Sequence, residues 1–159
     1  MNDYLLDLFT KYRKSGILID TNILLLFVVG SLNPDLIPKI SRTASFSFQD
    51  FQIVEKTIDF FDNKITTPHI LTEVSNLIDR VEIQDALRTY VEIAIEQFIE
   101  SSRVVANNMF SKFGMADTGI LELSKGAHLV LTDDGPLMGI LGNTGVDAIS
   151  LKMLRKGMF

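Results

Sequence analysis

The chain has 159 residues, the size of one ordinary domain, and 47% of them are hydrophobic and 22% charged, so it can bury one sizeable core and is too apolar to stay disordered. It has no cysteine, which excludes disulfides, thiol nucleophiles and cysteine-ligated zinc or iron–sulfur sites and fits a reducing compartment. A formal net charge of −5 and a pI of about 4.9 argue against a simple, strongly basic nucleic-acid binder, but not against an enzyme whose carboxylates hold cations.

In chain order, residues 3–13 carry Leu5, Leu6, Leu8, Phe9 and Tyr12 at roughly helical spacing, and Lys14-Ser15-Gly16 breaks the pattern. Gly16-Ile17-Leu18-Ile19 is apolar without alternation and predicts a short buried strand. Asp20-Thr21-Asn22 follows directly and leads into a very apolar helix over 23–29. That run is far shorter than the ~20 residues a membrane helix needs. The start, Met1-Asn2-Asp3, lacks the basic beginning of a signal peptide, so the expectation is a soluble, cytoplasmic protein with no membrane partner.

Residues 31–47 contain Asn33-Pro34, Pro38 and several serines and predict a loop. Helical periodicity returns over 49–61 through Phe51, Val54, Ile58 and Phe61, and 64–67 reads as a second strand. Pro68 suits the first turn of a helix running to about Arg80. Residues 83–101 give the clearest helix, with Ile83, Leu87, Val91, Ile95 and Phe98 on one face. Glu92, Glu96 and Glu100 stack on another face, which reads as solvated rather than as a dock for a basic partner. A helix over 117–125 closes at Gly126, and a strand over 127–131 runs into Thr132-Asp133-Asp134-Gly135. A short helix over 136–141 and a last strand over 146–151 follow. Strands alternating with helices predict an α/β sandwich with a mostly parallel sheet.

Acidic residues stand at four places where such a sheet would gather them: Asp20 after the first strand, Glu73 on the helix after the second, Asp117 opening a helix, and the pair Asp133 and Asp134 after the strand 127–131. Carboxylates sharing one crevice do not all stay ionised without a cation, and hard oxygen ligands select Mg2+ or Mn2+. Such a site activates water and stabilises charge on a phosphate during in-line displacement. Each residue also has a plainer reading: Asp20 and Asp117 as helix caps, Glu73 as a solvated side chain, Asp133-Asp134-Gly135 as turn chemistry. The signal lies in the joint pattern.

That pattern resembles the PIN-domain nucleases, including the VapC-type toxins. The likeness rests on four segments in order. Ile17-Leu18-Ile19-Asp20-Thr21-Asn22 looks like the family's opening motif, and His69-Ile70-Leu71-Thr72-Glu73-Val74 like the helix with its acidic residue. Gly114-Met115-Ala116-Asp117-Thr118-Gly119-Ile120-Leu121 resembles the third motif, and His128-Leu129-Val130-Leu131-Thr132-Asp133-Asp134 the fourth. The resemblance covers Gly16 onward and implies a three-layer α/β/α sandwich over 1–159 and a metal-dependent endonuclease, usually acting on RNA, that attacks with a water activated by the ions. By it, Asp20, Glu73, Asp117 and Asp134 (or Asp133, which fits the Thr-x-Asp spacing less well) hold Mg2+ or Mn2+, and Asn22 and Thr132 steady them by hydrogen bonding. It also implies a homodimer and, for a toxin, a small antitoxin partner that blocks the site. The helix 3–13 and an insertion around 31–49 depart from the smaller toxins, and the insertion serves either to cover the cleft or to mediate dimer contacts.

Two other readings compete. A haloacid-dehalogenase-like phosphatase also places an Asp after its first strand, but it needs a second Asp where Asn22 stands. A catalytically inactive binding or assembly module fits the acidic pI, yet has no reason to keep all four acidic positions. Basic residues available to a nucleic-acid backbone are Lys11, Arg13, Lys14, Lys152, Arg155 and Lys156, with Arg103, Lys112 and Lys125 more scattered; solvated surface is the plainer reading of each. His69 and His128 read as structural, having no partner histidine at ligand spacing.

Overall fold

The computed structural model describes residues 2–157. Helix α1 (Asp3–Tyr12) starts where the Asn2 side chain accepts the Leu5 N–H at 2.9 Å, and it buries Leu5, Leu8, Phe9 and Tyr12. Gly16 then turns the chain at φ 112°, and a Cβ there would stand 2.7 Å from the Asn63 carbonyl oxygen, so only glycine allows the first strand to enter. That strand, β1 (Ile17–Ile19), is wholly buried and lies at the centre of a sheet with β2 (Lys64–Thr66), β3 (Ile95–Glu96), β4 (Leu129–Thr132) and β5 (Ala148–Ser150). The order is β3-β2-β1-β4-β5, every pair is parallel, and Leu18 stands opposite Ile65 on one side and Val130 on the other. With helices between its strands, this is an α/β fold of mostly helical content, consistent with three α/β/α layers.

Helix α2 (Thr21–Leu32) is apolar around its whole circumference because it is packed on several sides. It meets α3 (Phe48–Phe60), α4 (Pro68–Leu77), α5 (Val81–Ile93), β4 and a short 3-10 helix, Pro34–Lys39. Ser47 and Asp50 form a reciprocal capping box at the start of α3, and Pro68 opens α4 behind the Thr67 cap. The remaining helices are α6 (Ser101–Ala106), α7 (Phe110–Ser124), α8 (Gly135–Asn143) and α9 (Leu151–Gly157). Among the described residues no helix is long and apolar enough to cross a membrane.

Several expected elements are corrected. The helix predicted over 83–101 is α5, ending at Ile93, and the chain re-extends so that Ile95 and Glu96 pair with Ile65 and Thr66. The ladder is prolonged by the Gln97 N–H donating to Thr66 O at 2.9 Å, and backbone pairing along β2 outweighs the helical periodicity of the side chains. Glu92, Glu96 and Glu100 therefore do not share a helix face: Glu96 is in β3 and Glu100 precedes α6. The loop over 31–47 begins after α2 has reached Leu32 and contains the 3-10 helix. The helix after Pro68 stops at Leu77, short of Arg80. The residues 117–125 belong to a longer α7, which is kinked at Gly114 (φ 77°), so Asp117 lies inside a helix and caps none. Helix α9 was not expected; Leu151 and Leu154 bury at i, i+3 behind the charges of Lys152, Arg155 and Lys156.

Candidate functional site

Strand order reverses about β1, with β2 on one side and β4, much later in sequence, on the other. Crevices of parallel sheets open at the carboxyl ends of strands at such a switch point. Asp20 is the residue after β1, and its backbone N–H donates to Leu131 O at 2.9 Å, which fixes it beside β4. Its side chain is 4% exposed. One carboxylate oxygen accepts the Thr21 N–H at 2.6 Å and the other accepts the Thr132 hydroxyl at 2.5 Å. Asp20 thus caps α2, and the same carboxylate lines a cleft of about 330 Å³.

Thr132, at the end of β4 and fully buried, also accepts the Asp134 N–H on Oγ1 at 3.0 Å. Asp134 caps α8 by accepting the Leu137 N–H at 2.7 Å. Glu73 projects from the second turn of α4, and its Oε2 accepts the Thr21 hydroxyl at 2.8 Å. Asp117 lies half-buried on α7, just beyond the kink. Asp20, Glu73, Asp117 and Asp134 all line the one cleft. Asp133 does not. It is exposed, and after burial the charges acting on it are those of Arg155 and Asp50, a pair joined at 2.7 Å away from the cleft.

The electrostatics reflect this gathering. Burial, followed by the charges of Asp20, Asp134 and Glu73, pushes the Asp117 carboxyl up to about 7. Burial also raises Asp20, opposed by the Thr132 and Thr21 hydrogen bonds and reinforced by Asp134 and Glu73. Four carboxylates in one cleft, one of them titrating near 7, carry more negative charge than the one arginine lining it offsets, and an all-oxygen donor set of this kind suits a hard divalent cation. Among the described residues no three acidic or imidazole side chains already stand together as a metal-holding group, so the set fits by chemistry and not as a closed cage.

Of the two residues expected to support the site, Thr132 hydrogen-bonds Asp20, whereas the exposed Asn22 lines the cleft with no side-chain hydrogen bond among the described residues. Thr21 bridges to Glu73 instead. Besides Leu77, two polar lining residues escaped the sequence reading: Asn76, three positions after Glu73 and so on the same face of α4, and Arg42, from the insertion. Helical spacing would have found Asn76; nothing local marks Arg42. Four of the basic residues considered for nucleic acid are held locally: Lys11 by Asp147 at 2.7 Å, Arg13 by Asp62 at 3.9 Å, Arg103 by Glu122 at 3.5 Å and Arg155 by Asp50. His128 lies outside the cleft and ties the Ser15 carbonyl oxygen to the Gln97 side chain, at 3.1 and 3.0 Å.

Set against protein-family models, curated proteins and solved structures, the chain matches none of them.

Proposed function

We propose that the protein is a PIN-like, metal-dependent endonuclease that cuts phosphodiester bonds in RNA and acts in the cytoplasm. The observation that carries this reading is the convergence of four carboxylates, from the ends of β1 and β4 and from α4 and α7, on one cleft at the switch point of a parallel sheet. Asp20, Glu73, Asp117 and Asp134 would hold Mg2+ or Mn2+. When bound, these ions supply Lewis acidity for attack by water and charge stabilisation for the leaving oxygen.

The chain's own residues supply placement. Asp20 is held in one rotamer by Thr132 and the Thr21 N–H, and Thr21 ties Glu73 to the same helix start. Thr132 links the β1 and β4 arms by donating to Asp20 and accepting from Asp134. Asp117, held near 7, would have to be ionised to serve as a ligand, which would make cation binding depend on pH. No protein nucleophile is required. A homodimer and an antitoxin that covers the cleft belong to the same proposal. If the protein is a toxin, its expression arrests growth and Asp20→Asn relieves the arrest; normal growth with well-expressed wild type counts against that role.

One observation favours a second reading, a binding module without activity: among the described residues the carboxylates that line the cleft do not stand close enough together to form a metal-holding group. Cleavage of mixed single-stranded RNA and DNA in Mn2+, Mg2+ or EDTA, with wild type and Asp117→Asn, separates the two. Metal-dependent cutting that the variant loses supports the nuclease and names its substrate. No cutting and no Mn2+ binding by folded wild type supports the module.

A further inference from the structure

The geometry points to Arg42 as a residue that binds a phosphate of single-stranded RNA beside the scissile bond, an assignment that rests on the nuclease reading. Among the described residues that line the carboxylate cleft, Arg42 is the one cation. It comes from the insertion, not from the sheet or the helices that bear the acids.

Its backbone is anchored. The neighbouring Thr43 is fully buried, its hydroxyl donates to Ile37 O at 2.8 Å, and its N–H donates to Ile40 O at 3.0 Å. Ile37 in turn is 1% exposed and belongs to the core. A turn fastened this way presents Arg42 to the cleft from a fixed base. Arg42 as a whole is exposed and, among the described residues, makes no ion pair, although four carboxylates line the same cavity. An arginine kept near acids without being consumed by them remains available to an incoming anion.

A polyanionic strand approaching this cleft meets carboxylates first. Cations held by those carboxylates offset the charge at the reacting phosphate, and the phosphates on either side still need a partner. A guanidinium offers the planar, bidentate fork that phosphate oxygens accept, which lysine does not. This also gives the insertion a role at the cleft.

The test has two arms. Binding of a fluorescein-labelled, mixed-sequence single-stranded RNA, and of the DNA of the same sequence, is followed by anisotropy against salt in the wild-type chain and in Arg42→Ala, with Ca2+ in place of Mn2+ as the hard cation for the carboxylates. Cleavage kinetics of the same RNA and DNA in Mn2+ are followed for wild type, Arg42→Ala and Arg42→Lys, and Arg42→Lys is also carried through the binding arm. The expected result is binding weakened on the order of ten-fold by Arg42→Ala. The salt slope should become shallower by about 0.7, the loss of one phosphate contact on a single strand. KM should rise more than kcat falls, and lysine should restore the salt slope but only part of the affinity. Unchanged affinity, slope and KM in a chain that still cuts RNA would overturn the Arg42 assignment and leave the nuclease standing. Wild type that neither binds nor cuts the RNA would overturn both, and a preference for single-stranded DNA in both arms would overturn the RNA assignment.

Discussion

Replacing Asp117 by asparagine should make the metal-free protein more stable, while removing its function. The carboxyl is pushed from 3.8 to about 7, with burial as the first cause and the charges of Asp20, Asp134 and Glu73 after it. At roughly 1.36 kcal/mol per pH unit, full conversion would give about 4 kcal/mol; because the group is only half-buried, solvent screening discounts this to about 2 kcal/mol. The sign follows from proton counts. Between pH 4 and pH 7 the folded chain holds a proton on Asp117 that the unfolded chain has lost, so stability falls as pH rises through that window and the loss is complete above pH 7. Asparagine carries no such charge. In EDTA at pH 8 the variant should melt about 4–8 °C above wild type, and the gap should close toward pH 4. Adding Mn2+ should raise the wild-type melting temperature and the variant's by less, since a ligand stabilises only the state that binds it. Paired thermal melts at the two pH values, with EDTA or Mn2+, read all three effects. A variant no more stable than wild type at pH 8 in EDTA would refute the claim that burial and the neighbouring carboxylates oppose the ionised form of Asp117.

Thr132→Val keeps the side-chain shape but leaves the buried Asp20 oxygen and the Asp134 N–H without their partner, so urea unfolding should show a loss of about 1–3 kcal/mol. The loss should be larger at pH 8 than at pH 5, because Thr132 helps keep the Asp20 carboxyl from rising further; an unchanged midpoint would contradict its bridging role. Gly30→Ala would gain about 1 kcal/mol from helix propensity alone, yet the new Cβ would lie 2.2 Å from a Phe51 ring carbon where α2 crosses α3. Overpacking should win and destabilise the chain by about 1–3 kcal/mol in the same assay, and a stabilised variant would show that the interface is looser than the structure describes.

How much of this was legible in the sequence depends on the range of the forces involved. Ile17-Leu18-Ile19 and Leu129-Val130-Leu131 read as strands because both faces are buried and the apolar run is unbroken. Strand β3 could not be read: two residues with a helical spacing of apolar neighbours carry no local mark of a strand, and Ile95 extends only because the β2 edge is there to pair with it. Helix α9 was missed because its basic residues drew a surface reading while Leu151 and Leu154 supplied only one turn of pattern. At the site, Asp20, Thr132 and Asp134 were visible as chain positions at or just beyond the carboxyl ends of strands. The Thr-x-Asp spacing favoured Asp134 over Asp133 and left both open; that Asp133 stands outside the cleft, under the charge of Arg155 from α9, needed the neighbours. Thr21 and Arg42 depend on packing between distant segments, and no local rule selects either.

The central claim is that the carboxylate cleft is a cation site. Calorimetric titration of the metal-free protein with Mn2+ at pH 8, comparing wild type with Asp20→Asn and Asp117→Asn, tests it most directly. The account predicts saturable binding by wild type that each substitution removes or severely weakens. Wild-type heats indistinguishable from those of the two variants would contradict it.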